Sequence, residues 1–302
     1  MGGCVYNGAM VEPAADQKWT TRRLLRWTGD YLKSKGVDSP RLAAEMLLAH
    51  VLHADRIKLY TDADRPANDA ERMVYRELVQ RAAEHEPVQY LVGKAYFFAL
   101  DFQVSPAVLI PRPSTETLVE HVIQHARRSP GFADPVIADI GTGSGAIAVA
   151  LAKNLPDAHV LATDISGAAL EVARANARRH GVADRIDFRE GSLFEPLSGR
   201  YHFICANPPY ISDAEWEQVA PNVRDYEPTA ALRAGADGLD LMRPLIAGAG
   251  DYLEHPGQLV LEFAASQKQA VLELAKLTAG LADPHVLPDA EGHPRVLVAN
   301  RA

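Results

Sequence analysis

The chain has 302 residues, 47% of them apolar, with 31 basic against 39 acidic side chains and a net charge of −8. That length exceeds one average domain and that apolar content supplies a core, so two globular domains are expected and wholesale disorder is excluded. Two cysteines, Cys4 and Cys205, cannot build a disulfide framework and fit a reducing cytoplasm, and no run of about 18 apolar residues is present to cross a membrane.

The opening MGGCVY carries Gly2 but has Tyr6 where an acylation signal requires Ser or Thr, and no charged-then-apolar secretory stretch follows. Residues 1–17 read as a loose tail. Charge is uneven: 13 basic against 12 acidic side chains in 1–85, but 18 against 27 in 86–302. The larger part is acidic, which argues against stable nucleic-acid binding.

Residues 18–85 read as helices. Trp19, Leu24, Leu25, Trp27 and Leu32, then Leu42, Ala43, Met46, Leu47, Ala49 and Val51, recur at spacings of three and four, with Gly36 and Ser39-Pro40 as stop and start. A third helix is expected from about 69 to 84, completing a small helical domain. From 86 to 113 the texture changes to β-formers with one glycine and four prolines, too apolar for a flexible linker, and a β-hairpin connector is expected. Pro113 suits the first turn of a helix whose apolar arc is Leu118, Val119, Val122, Ile123 and Ala126. His121 and His125 lie four apart on its flank, but no third metal ligand is near in sequence and a solvated flank is the better reading.

After Pro135, strands at 136–140, 159–164, 185–190, 201–206, 258–264, and a late pair near 285–288 and 295–299 alternate with helices, one over 168–180 between a Ser166 cap and a Gly181 stop. That alternation predicts an α/β domain over 114–302, with a mostly parallel sheet covered on both faces.

Two motifs carry the chemistry. In DIGTGSGAIAVALA (139–152) a strand ends at Asp139-Ile140, and glycines 141, 143 and 145 turn the backbone tightly into a helix, a cradle for a nucleotide-type ligand. The pattern also satisfies a dinucleotide fingerprint, and Asp164, closing the next strand, suits ribose hydroxyls in either case. FICANPPY (203–210) separates the two. A planar amide or exocyclic amino nitrogen is a weak nucleophile, and two acceptors aimed at its N–H bonds would hold it against a methyl donor. Asn207 can supply a side-chain oxygen and Pro208 a backbone carbonyl fixed by the φ of Pro209, while Tyr210 offers an aromatic face.

Together with PVQYLVG (87–93), VLIPRP (108–113), ATDIS (162–166), YEPTAAL (226–232), GADGL (235–239) and LE (261–262), these motifs resemble the HemK/PrmC family, methyltransferases that modify the glutamine amide nitrogen of peptide chain release factors. The resemblance implies a Rossmann-like fold with a seven-stranded, mostly parallel sheet and a late antiparallel strand, S-adenosyl-L-methionine as methyl donor and S-adenosyl-L-homocysteine as product, no metal, and a cytoplasmic monomer. It places Asp139, Gly141, Thr142, Gly143, Ser144, Gly145, Asp164, Ser192, Leu193 and Asn207 around the cofactor. The substrate falls to Asn207, Pro208, Pro209, Tyr210, Arg112 and Pro113, with the helical domain helping to recognise the release factor. Ser192, Ser114, Ala99 and Ala264 depart from the family pattern, which often has an acid, Glu, Gly and Gly there. A ribosomal-protein glutamine methyltransferase, a nucleic-acid amino methyltransferase, a dinucleotide-dependent oxidoreductase and a non-catalytic interaction protein are the competing readings. The oxidoreductase leaves FICANPPY unexplained.

Overall fold

A computed structural model describes residues 18–302. The expected tail over 1–17, with Gly2 and Cys4, lies outside them. The chain divides into two compact units, one ending at Val92 and one running from Gly93 to Ala302.

The first unit contains α1 (Thr21–Ser34), α2 (Pro40–Val51), α3 (Lys58–Thr61), α4 (Asp69–Ala83) and α5 (Val88–Val92). Thr20 caps α1 through the Arg23 N–H, and Asn68 and Glu71 bond each other's backbone reciprocally at the start of α4. Leu24, Leu32, Leu47, Leu48, Tyr75 and Leu78 form the common core. One member of the expected α2 stripe is misplaced. Leu42 is 41% exposed and Glu45 is buried instead, its carboxylate held by Arg41, Arg56 and the Tyr60 hydroxyl. A buried charge with three donors costs little, so polarity alone misjudged the face.

The connector also differs from expectation, because 88–92 is helical. The Pro87 carbonyl accepts the Tyr90 and Leu91 N–H groups, and burial of both side chains outweighs the β-propensity of the run.

In the second unit, β1 (Lys94–Phe97) and β2 (Leu100–Gln103) pair as an antiparallel hairpin. A single tight turn over Pro113–Thr115 leads into α6 (Glu116–Arg128). Then follow β3 (Val136–Ile140), α7 (Ala146–Asn154), β4 (His159–Asp164), α8 (Gly167–Arg179), β5 (Ile186–Glu190) and β6 (Tyr201–Ala206). The chain continues through α9 (Asp213–Trp216), α10 (Pro221–Arg224), α11 (Met242–Tyr252), β7 (Leu253–Glu262), α12 (Lys268–Leu277), β8 (Leu281–Pro288) and β9 (Pro294–Arg301). His121, on α6, bonds the Gln258 side chain at 2.9 Å.

The strands form one seven-stranded sheet in the order β5-β4-β3-β6-β7-β9-β8, in which β9 alone runs against the rest. Its central strands β3, β4 and β6 are buried on both sides because both faces are covered. Along β6, Phe203 and Cys205 pack with Leu118, Val119 and Ala148 of α6 and α7, while Ile204 and Ala206 pack with Leu245, Ile246 and Val271 of α11 and α12. The chain runs outward from β3 to β4 and β5, then returns to place β6 on the other side of β3. The direction of winding reverses there, and ligands of open α/β sheets bind at the carboxyl ends of such strands.

Candidate active site

The register decides what meets at that point. Ile140 of β3 lies opposite Thr163 of β4 and opposite Ala206 of β6. Gly141, Asp164 and Asn207 therefore leave three adjacent strands side by side, at strand spacings of about 5 Å. The Gly141 and Thr142 N–H groups both donate to the Thr163 carbonyl at 2.8 Å, which bends the chain sharply over the sheet edge. Gly141, Gly143 and Gly145 have φ of 73°, 54° and 79°, left-handed values that favour glycine. At Gly145 the packing is tight as well, since an added Cβ would meet Ala173 of α8 at 3.1 Å. Over Gly141 and Gly143 there is open space, so the loop presents bare backbone outward. The Ser144 carbonyl is held from behind by the Asn176 side chain at 2.8 Å, which also bonds both backbone groups of Gln103.

Asp139 is fully buried beneath this loop. One oxygen, Oδ2, accepts the Thr142 hydroxyl at 2.6 Å and the Ala148 N–H at 3.1 Å, and Oδ1 has no partner. Burial pushes its pKa up to about 7, against those two hydrogen bonds. Asp164 closes β4 and accepts the Gly143 N–H on Oδ2 and the Ser166 N–H on Oδ1, both at 2.9 Å. Each oxygen keeps a second lone pair. The cap of α8 is Ser166, whose hydroxyl accepts the Ala169 N–H. Next to it, Ile165 is 63% exposed, an apolar face that sequence reading passed over although a lone hydrophobe after the strand's terminal acid was visible. Beyond β5, the Gly191 N–H ties back to the Asp164 carbonyl at 3.0 Å. Ser192 and Leu193 follow at once, Ser192 donating its N–H to Glu195 and Leu193 adopting φ of 49°.

At the end of β6, Pro208 is buried, and Asn207, Pro209 and Tyr210 are half-buried. Asn207 donates from Nδ2 to the Thr115 hydroxyl at 3.1 Å. Among the described residues nothing donates to Asn207 Oδ1 or to the Pro208 carbonyl. Both acceptors named in the sequence are thus uncommitted. Tyr210 is held by its backbone, its N–H on Leu232 and its carbonyl on Gln267 Nε2 at 2.9 Å. Burial, then the charge of Glu262, pushes its hydroxyl up to about 12.

Several supporting contacts, unlike most of the residues that make them, escaped the sequence reading. The Ser114 and Thr115 hydroxyls donate to Glu262 at 2.9 and 2.5 Å. Burial raises the Glu262 pKa, opposed by those hydroxyls and by Arg295 and Arg112. Gln267 bonds the Tyr210 and Gly238 carbonyls together, so NPPY and GADGL are one assembly. Arg112 is paired with Glu227, which also accepts the Ile110 N–H at 3.0 Å. VLIPRP and YEPTAAL are joined by that pair, and Pro113 starts the turn that carries Thr115. Contacts this distant in sequence leave no periodic signal.

A glycine loop, a strand-terminal acid and a strand end with two uncommitted acceptors thus meet at the reversal point of a seven-stranded, Rossmann-like sheet. The Methyltransferase small domain family matches residues 113–223, and the PrmC N-terminal domain family matches 23–93. The release factor glutamine methyltransferase of Rhodopirellula baltica is 40% identical over 97% of this chain and 100% of its own, and that of Geobacter sulfurreducens 46% over 92% and 96%. The catalytic domain of hMettl16, solved with hairpin 1 of the MAT2A 3'UTR, shares the fold at a TM-score of 0.55 and 17% identity, over 91% of each chain. The chain belongs to the release factor glutamine methyltransferase family.

Proposed function

We propose that the protein transfers a methyl group from S-adenosyl-L-methionine to the side-chain amide nitrogen, N5, of the glutamine in the GGQ motif of peptide chain release factors. The observation that carries the reading is the pair of uncommitted acceptors on Asn207 and Pro208, one strand away from the glycine loop. A primary amide has two N–H bonds in one plane, and two acceptors can bind both. They hold the nitrogen in one direction and favour the positive charge it gains during attack, the proton leaving afterwards to water.

The residues present fit the cofactor. The open backbone over Gly141 and Gly143 accommodates its methionine part, with the unpartnered Asp139 Oδ1 as a buried acceptor below. Asp164 has lone pairs left for ribose hydroxyls, and Ile165 with Ser192 and Leu193 offers the apolar and polar edges a purine requires. When bound, the cofactor supplies an electrophilic methyl on a sulfonium that leaves as a neutral thioether. Tyr210 flanks the amide, and the Arg112–Glu227 pair fixes the strap that ends at Pro113 rather than reaching out as a free cation. The helical unit is assigned to recognition of the release factor, and the enzyme to the cytoplasm as a monomer. The acidic balance of 86–302 favours a protein over a nucleic-acid substrate. Among the described residues no helix is long and apolar enough to cross a membrane.

Asn207→Ala removes one acceptor and is expected to cut turnover on release factor at least about 100-fold at saturating cofactor, with cofactor occupancy checked by calorimetry. Near-normal turnover with cofactor bound would show that the amide is held elsewhere.

A further inference from the structure

An asparagine side chain presents an acceptor or a donor depending on which way its amide faces, and the two orientations have almost the same shape. Nothing in Asn207 itself selects the oxygen for the substrate side. The selection lies behind it. Glu262 closes β7, is fully buried, and as a carboxylate offers only acceptors. Thr115 has a single hydroxyl hydrogen and gives it to Glu262 Oε2 at 2.5 Å. The same oxygen can then only accept, and what it accepts is Asn207 Nδ2 at 3.1 Å. Ser114 occupies the other carboxylate oxygen at 2.9 Å, so Glu262 is anchored on both sides.

On the functional reading above, we infer that Glu262, acting through Thr115, is the positioning element that fixes the polarity of Asn207, and so makes the site select a carboxamide over a carboxylate. With the chain intact, Asn207 shows its oxygen, which bonds an amide N–H and repels a carboxylate. Without the Thr115 hydroxyl the amide is free to turn, showing NH2 to a substrate NH2, where two donors meet and neither bonds. A glutamate side chain gains from the same turn. Thr115 and Glu262 touch neither reacting atom, so their effect reaches the reaction only through Asn207.

The test uses the full-length enzyme, labelled S-adenosylmethionine, and a purified release factor in two forms, with the GGQ glutamine intact or replaced by glutamate. Turnover is expressed per calorimetrically titrated cofactor site, so that lost folding is not read as lost kcat. Thr115→Val is expected to lower kcat about 10- to 100-fold with cofactor affinity unchanged. It should also shift the ratio of glutamate-form inhibition constant to glutamine-form KM toward the glutamate form by about 5-fold or more. Thr115→Ser keeps the hydroxyl and is expected to bring both readouts back to within about 3-fold of wild type. Thr115→Ala takes the place of the valine variant if that does not fold. A merely structural role would weaken both forms alike and leave the ratio still. Wild-type turnover combined with an unchanged kcat or an unchanged ratio in the hydroxyl-free variant overturns the proposal alone. No turnover by the wild-type protein overturns the functional reading and the proposal with it.

Discussion

The most exposed chemical consequence at single residues is at Asp139. Its carboxyl ordinarily titrates at 3.8 and is pushed to about 7 by burial. A raised folded-state pKa means that the folded state holds a proton the unfolded chain has released. Its contribution is therefore complete below about 4 and is lost as pH rises through 7. Thermal unfolding of the cofactor-free enzyme is expected at lower temperature at pH 8 than at pH 5. Asp139→Asn, which holds a neutral group there at every pH, flattens that dependence, and an equally steep profile in the variant would place the titration elsewhere. At this scale the sequence was legible where one residue has one chemistry: Asp139, the three glycines, Asp164 and Asn207 all stand together at the sheet edge. It was silent where a role depends on a partner far along the chain. Thr115 and Glu262 are 147 positions apart and meet only because the turn leading into α6 lies against the end of β7.

Among elements, the hairpin carries the clearest strain. Phe98 and Ala99 join β1 to β2 with φ of 50° and 58°, the double left-handed turn for which Asn-Gly is the usual choice. A residue with a Cβ pays about 1–2 kcal/mol for that conformation, and glycine loses about 0.5–1 kcal/mol more chain entropy on folding. Ala99→Gly is therefore expected to stabilise the protein by roughly 0.5–1 kcal/mol in urea unfolding, and a destabilised variant would contradict the turn assignment. The absence of the family's usual glycine at 99 was readable; the turn type was not. Strands buried on both faces were easy to place, since apolar runs such as FICA have no competing period. Short elements were not: α5 reads as strand by propensity and becomes helix by burial, and Leu42 and Glu45 exchange places because three donors neutralise a carboxylate that the pattern places outside.

For the molecule as a whole, division into a helical unit and an α/β unit follows from the change of period along the sequence, although the structure draws the boundary after Val92 rather than ahead of the connector. Substrate class is the part that neither fold nor period encodes, because a paired-acceptor clamp suits an adenine amino group as well as a glutamine amide. Charge and family separate them: 27 acidic against 18 basic side chains over 86–302 give a nucleic acid little to hold. The decisive measurement is incubation of the wild-type enzyme with labelled S-adenosylmethionine and, in separate reactions, purified release factors, ribosomal proteins, tRNA and DNA, followed by peptide mapping of the labelled product. Label confined to release factor, on the side-chain amide of the GGQ glutamine, is the predicted result. Label in tRNA or DNA with none in release factor would contradict it.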